Sequence, residues 1–208
     1  MHADLFNNKL MTEFIIYFEL GLYHILDFAG YDHMLFVVAI SALYLASDWR
    51  KILILVTAFT FGHSITLAMA TFDLVNVDSD LIEFLIPLTI LITAGSNLFT
   101  RDRNRYIPST RKVSLNYLYA GFFGTIHGFG FSNYLKAILG RDTAIIKQLL
   151  AFNLGLEVGQ IVVMILFLII SAFFVGLFGV DRRDWKIIIS SIIIGITFVL
   201  MIEARFWI

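Results

Sequence analysis

The sequence predicts an all-α fold: a polytopic membrane helix bundle of six to seven transmembrane helices, with residues 1–208 forming a single integral membrane domain. Three observations carry this. The chain is 59% hydrophobic and only 15% charged, whereas soluble domains carry about 25% charged residues. Its apolar residues gather in long runs. Ile52–Phe72 contains no Asp, Glu, Lys or Arg, and as a helix it is long enough to cross roughly 30 Å of hydrocarbon. The connecting segments also alternate between basic and acidic, as loops on opposite faces of a membrane do.

The elements follow in order. The segment "MTEFIIYFELGLYHILDFAG" is interrupted by Glu13, Glu19, His24 and Asp27. It reads either as an interfacial amphipathic helix or as a first crossing that puts the N-terminus inside, with crossing the favoured reading. Tyr31–Ala46 is the next apolar run, opening on Asp32, a residue suited to an N-cap, and closing before the basic "SDWRK". Ile52–Phe72 follows and ends at the acidic "DLVNVDSD". Glu83–Phe99 leads into "RDRNRYIPSTRK", the strongest basic cluster of the chain. Leu115–Leu135 precedes a mixed loop with Lys136, Arg141 and Lys147. Leu149–Phe178 runs to "VDRRDWK", which is basic again, and Ile187–Met201 is the last span. The excess of Lys and Arg on cytoplasmic loops places the loops near 50, 105 and 184 inside, those near 76 and 141 outside, and the C-terminus outside.

A net charge of −1 argues against a nucleic-acid partner. Cysteine is absent, so a bound transition metal would be held by imidazole, carboxylate or carbonyl groups. The N-terminus lacks a basic region followed by a small-residue cleavage site, so no removable signal peptide is expected.

Four of the five histidines, His24, His33, His63 and His127, lie in the hydrophobic segments. Ionisable residues at such positions face a bundle interior or a water-filled cavity. The topology puts Asp32 and His33 at the outer start of one helix. His63 and His127 fall beyond the midpoints of two rising helices, and Asn153 and Glu157 lie early in a descending one. These groups share the outer half of the bilayer. Asn153, Glu157 and Gln160 also lie on one helix face, and Thr57, Thr60 and Ser64 on another. In "GFFGTIHGFGF" the glycines beside His127 predict close helix approach. Singly, each residue has a structural explanation: a helix cap for Asp32, solvation for Glu83, interhelical hydrogen bonds for Asn153 and Gln160. Jointly, imidazoles and carboxylates at one depth suit a borderline divalent metal such as Ni, Co or Zn. The candidate metal ligands are His24, Asp32, His33, His63, His127 and Glu157.

The ordered stretches "HILDFAGYDHMLF", "TFGHSITL", "IHGFGF" and "FNLGLEVGQ" resemble the HupE/UreJ family of small bacterial membrane proteins, over about residues 20 to 165. The resemblance implies nickel or nickel/cobalt permease activity and a bacterial inner membrane location. The family's first histidine motif maps onto His24, Asp32 and His33, and its His-Gly motif onto His127 and Gly128. The chain departs from the family pattern in two places. More residues separate His24 from Asp32 than is usual, and no glutamate follows closely on His127-Gly128.

Two functions remain open. The leading one is a secondary transporter or permease for a divalent transition metal, binding it in the outer half of the bilayer. The alternative is an intramembrane zinc-dependent hydrolase acting on a lipid or amphiphile. There, histidines would hold zinc, Asp32 or Glu157 would serve as general base, and Ser64 would partner the water or oxyanion.

Overall fold

The computed structural model describes residues 2–28, 30–100, 110–139 and 145–204. Helix α1 spans His2–Leu26 and α2 spans Asp32–Ser41. A single 3-10 turn, Ala46–Asp48, leads into α3, Trp49–Thr71. Then follow α4, Ser79–Phe99, α5, Thr110–Gly130, and a short α6, Ser132–Leu139. Helix α7, Ile145–Ala172, continues through a π-helical turn at Phe173–Leu177, and α8 covers Arg182–Glu203. Among the described residues there is no strand. Helices α3, α4, α7 and α8 are long and apolar enough to cross a membrane. The polar start of α5, "TRKVSLN", dilutes its hydropathy, but α5 packs along α3 for its length.

Glycine contacts fix how the helices run. A Cβ on Gly62 or Gly124 would strike the backbone of the facing helix, at Gly121 and Phe59 respectively, and one on Gly128 would strike Thr66 and His63. Residue numbers rise together along both helices, so α3 and α5 are parallel and their backbones touch. This is the small-residue packing expected where lipid supplies no hydrophobic drive between helices. A second glycine seam joins α1 to α7. Gly21 abuts Phe152, Gly155 abuts Phe18, and Gly159 abuts Ile25.

That second seam revises the expected first crossing. Helix α1 runs in the same direction as α7, so its N-terminal part lies at the acidic-loop end of the bundle, where α7 begins, and not at the basic-loop end. The expected span Tyr31–Ala46 is also shorter than read. Helix α2 has 10 residues, about 15 Å at 1.5 Å per residue, which is half a bilayer. Its far end packs beside α7, with Ala42 against Phe167, so α2 follows the direction of α1. Together α1 and α2 run the same way along α7 as two separate helices, ending at Leu26 and beginning at Asp32. Sequence periodicity did not reveal this because α2 is apolar on all sides and its run continues without a charge as far as Ser47.

Asparagine ties the basic-loop end together. Asn97 Nδ2 donates to the Ala39 carbonyl of α2 at 2.8 Å and to Ser190 Oγ of α8 at 3.3 Å. Two loop aspartates cap their helices: Asp78 accepts from the Asp80 N–H at 3.0 Å and Asp181 from the Arg183 N–H at 2.7 Å. Asp32 is not the N-cap of α2. That position is Tyr31, which makes no side-chain capping bond.

Candidate metal centre

Three elements deliver the histidines. The interruption after α1 leaves His24 two residues from a helix end and lets the chain turn back so that α2 opens beside it. His33, in the first turn of α2, is thereby aimed at the ring of His24, with centroids 4.7 Å apart. His63 reaches the same place from α3, 5.6 Å from His33 and 6.5 Å from His24. One ligand nitrogen from each of His24, His33 and His63 lies within 4.8 Å of the others. Nitrogens about 2.1 Å from a tetrahedral ion are roughly 3.4 Å apart, a closure that modest side-chain rotations supply. His33 is 3% exposed and His63 wholly buried.

The fourth imidazole stands beside this group. His127 is brought in by the α3–α5 glycine seam, its ring 5.1 Å from that of His33. Its Nδ1 lies 3.1 Å from the Phe123 carbonyl one turn back. A carbonyl only accepts, so Nδ1 carries the proton and Nε2 keeps the lone pair. His33 is set in the same way by Asp32. One carboxylate oxygen, Oδ1, accepts from the His33 backbone N–H at 2.8 Å and from Nδ1 at 3.0 Å. A carboxylate holding the remote nitrogen of an imidazole orients the ring and raises its basicity as a ligand.

The free nitrogens decide what the cluster is fit for. Among the described residues, Nε2 of His24, His33 and His127 and both ring nitrogens of His63 are buried without a hydrogen-bond partner. An unsatisfied buried polar atom costs about 1–3 kcal/mol. Four adjacent rings that share this deficit form a poor structural network and a good set of lone pairs.

The HupE / UreJ protein family matches residues 2–207. The chain belongs to that family. No curated protein and no solved structure matches it. As a HupE/UreJ protein with four apolar spanning helices, it is an integral membrane protein.

The remaining sequence candidates of this HupE/UreJ protein lie elsewhere. Glu157, on α7, accepts from Thr57 Oγ1 at 2.7 Å, and Thr57 is six residues before His63 on α3, about 9 Å along the axis. Gln160 accepts from Thr60 Oγ1 at 2.9 Å, and this Thr–Gln pair and the Thr57–Glu157 pair bind α7 to α3. Ser64 donates to its own helix, to the Thr60 carbonyl at 2.7 Å. Glu83 is exposed. Sequence reasoning also overlooked the aromatic lining. Phe131 packs against His24 with ring centroids 4.0 Å apart, Phe59 packs against His127 at 4.9 Å, and Phe36 lies 5.5 Å from His127. In a chain with 21 phenylalanines, no local signal separates these rings from lipid-facing ones.

Proposed function

We propose that this HupE/UreJ protein is a secondary transporter or permease for a divalent transition metal of the nickel or cobalt type. The observation that carries the reading is the meeting of His24, His33 and His63 within 4.8 Å, from three separate helical elements, with lone pairs unspent. The family is associated with nickel and cobalt transport, and an imidazole-only donor set suits these borderline ions. In this reading His24, His33 and His63 hold the ion, Asp32 orients His33, and His127 offers a further lone pair. Glu157 serves the α3–α7 contact. The basic loops face the cytoplasm of a bacterium and the site faces outward, so the ion enters from the acidic-loop side. A cavity of about 670 Å³ beside α1 and α6, lined by Tyr23, His24, Asp27 and Tyr134 among others, reaches His24 from the surface and gives that access.

Two groups that a hydrolase would draw on have other partners: Ser64 donates to the Thr60 carbonyl, and Glu157 is held by Thr57. The test is metal uptake by cells expressing the chain or His63→Ala. Accumulation of nickel or cobalt that is lost in the variant is expected, and equal accumulation by the two would sink the proposal.

A further inference from the structure

The histidine cluster has a floor, and beneath the floor lies a second cavity. Its volume is about 670 Å³ and it sits between α2, α3, α4 and α5 in the basic-loop half of the bundle. It exists because α4 and α5 approach each other at the acidic-loop end, where Gly130 packs on Ile86, and then part. At the opposite end Asn97 and Lys186 tie α4 to α2 and α8, while the glycine seam keeps α5 on α3. The wall is mixed, but its polar groups converge. Thr93, Ser96, Asn97 and Thr100 recur at helical spacing along one side of α4, facing Tyr44 and Asn116.

Those groups offer acceptors. The hydroxyls of Thr93, Ser96 and Thr100 donate to carbonyls of their own helix, each at 2.8 Å, so their remaining capacity is lone pairs. Asn97 is wholly buried. Its Nδ2 is fixed by the Ala39 carbonyl and Ser190, and its Oδ1 is without a partner among the described residues. Such acceptors suit a hydrated cation, and the Lys186 ammonium at the basic-loop end of the wall is held by the Thr100 carbonyl at 2.6 Å. The separation from the histidines is one layer of rings. Phe36 lines the cavity and also lies 5.5 Å from His127, Phe59 packs against Phe36 at 4.6 Å, and Phe123 borders the cavity below the His127 ring that its carbonyl holds.

Resting on the transport reading above, we propose that this cavity is the water-filled release chamber for the divalent cation, closed from the histidine cluster by the rings of Phe36 and Phe59. Rotation of Phe36 alone opens the way between them, and the ion then passes from imidazole to water and oxygen acceptors.

The chain contains no cysteine, so single introduced cysteines report water access directly. Thr93→Cys and Ser96→Cys would be reacted with a membrane-impermeant cationic thiosulfonate in sealed vesicles of either orientation. Leu166→Cys, on the exposed face of α7, is the lipid-facing control. Both chamber cysteines are expected to react from the basic-loop face alone, with the control about a hundredfold slower because a charge is excluded from hydrocarbon. Adding Phe36→Ala is expected to make them react from both faces. Chamber cysteines no faster than Leu166→Cys would mean that lipid fills the cleft, and would overturn the proposal. Strictly one-sided reaction after Phe36→Ala would also overturn it, because the rings would not be the seal. No metal is used, so failure here is distinct from loss of uptake.

Discussion

Asp32 Oδ1 accepts two hydrogen bonds from the next residue in the chain, from the His33 N–H at 2.8 Å and from His33 Nδ1 at 3.0 Å. In the transport reading the carboxylate thus orients His33 and does not join the ligand set. Replacing Asp32 by Asn keeps an acceptor and removes the charge. Asp32→Asn is expected to weaken nickel binding by about 10- to 100-fold, the usual consequence of losing a partner behind a ligand, while His63→Ala abolishes it. Isothermal titration of the purified protein in detergent separates the two outcomes. Equal losses would make Asp32 a direct ligand.

Glu157 and His24 exchange the standings that the sequence suggests. The spacing between His24 and Asp32 departs from the family pattern, yet His24 joins His33 and His63, whereas Glu157 is held by Thr57. Glu157→Gln is expected to retain metal binding at wild-type stoichiometry, and His24→Ala to lose it. Equilibrium dialysis of the two variants against nickel checks both at once.

Neutral imidazole binds metal and imidazolium does not. Binding must therefore weaken as pH falls through the histidine range, by up to about tenfold per pH unit for each ring that has to lose a proton. The sign is fixed: affinity rises toward neutral pH and never with acidification. Dissociation constants measured across that range, with pH-matched buffers that do not chelate, provide the check.

The glycine seams allow a paired stability test. A methyl at Gly124 would press into the Phe59 carbonyl, whereas one at Gly95, also within a helix, meets nothing within 4 Å. Gly124→Ala is expected to lower the thermal midpoint in detergent or prevent folding. Gly95→Ala is expected to be neutral or stabilising by about 0.5–1 kcal/mol, the ordinary helix preference for alanine.

Asn97 received no role from the sequence, yet it is wholly buried and connects three helices. Asn97→Ala is expected to destabilise the bundle by on the order of 1 kcal/mol, as interhelical hydrogen bonds in membrane proteins do. A thermal unfolding midpoint equal to wild type would show the bridge to be dispensable.

By itself the sequence determined the all-α class, the four long apolar helices and the histidines that lie in the hydrophobic segments. Long runs without charge can be stable only in lipid, and the loop charges order those runs. Ionisable residues are costly in hydrocarbon, so four histidines inside such runs announce a site wherever they meet. The sequence also marked the His127 helix for close approach by a neighbour, because glycines flanking His127 admit another backbone, and the structure supplies α3 as that neighbour.

What only the tertiary structure decided is partnership. Whether His24 turns toward His33 depends on where α1 ends and α2 begins and on the glycine seam that lays α1 along α7, and neither is written in the hydrophobic pattern of the segment. Glu157 and His63 were expected at one depth, but depth is one coordinate and bonding requires three. The carboxylate is captured by the nearest hydroxyl, Thr57, and the imidazoles keep their lone pairs.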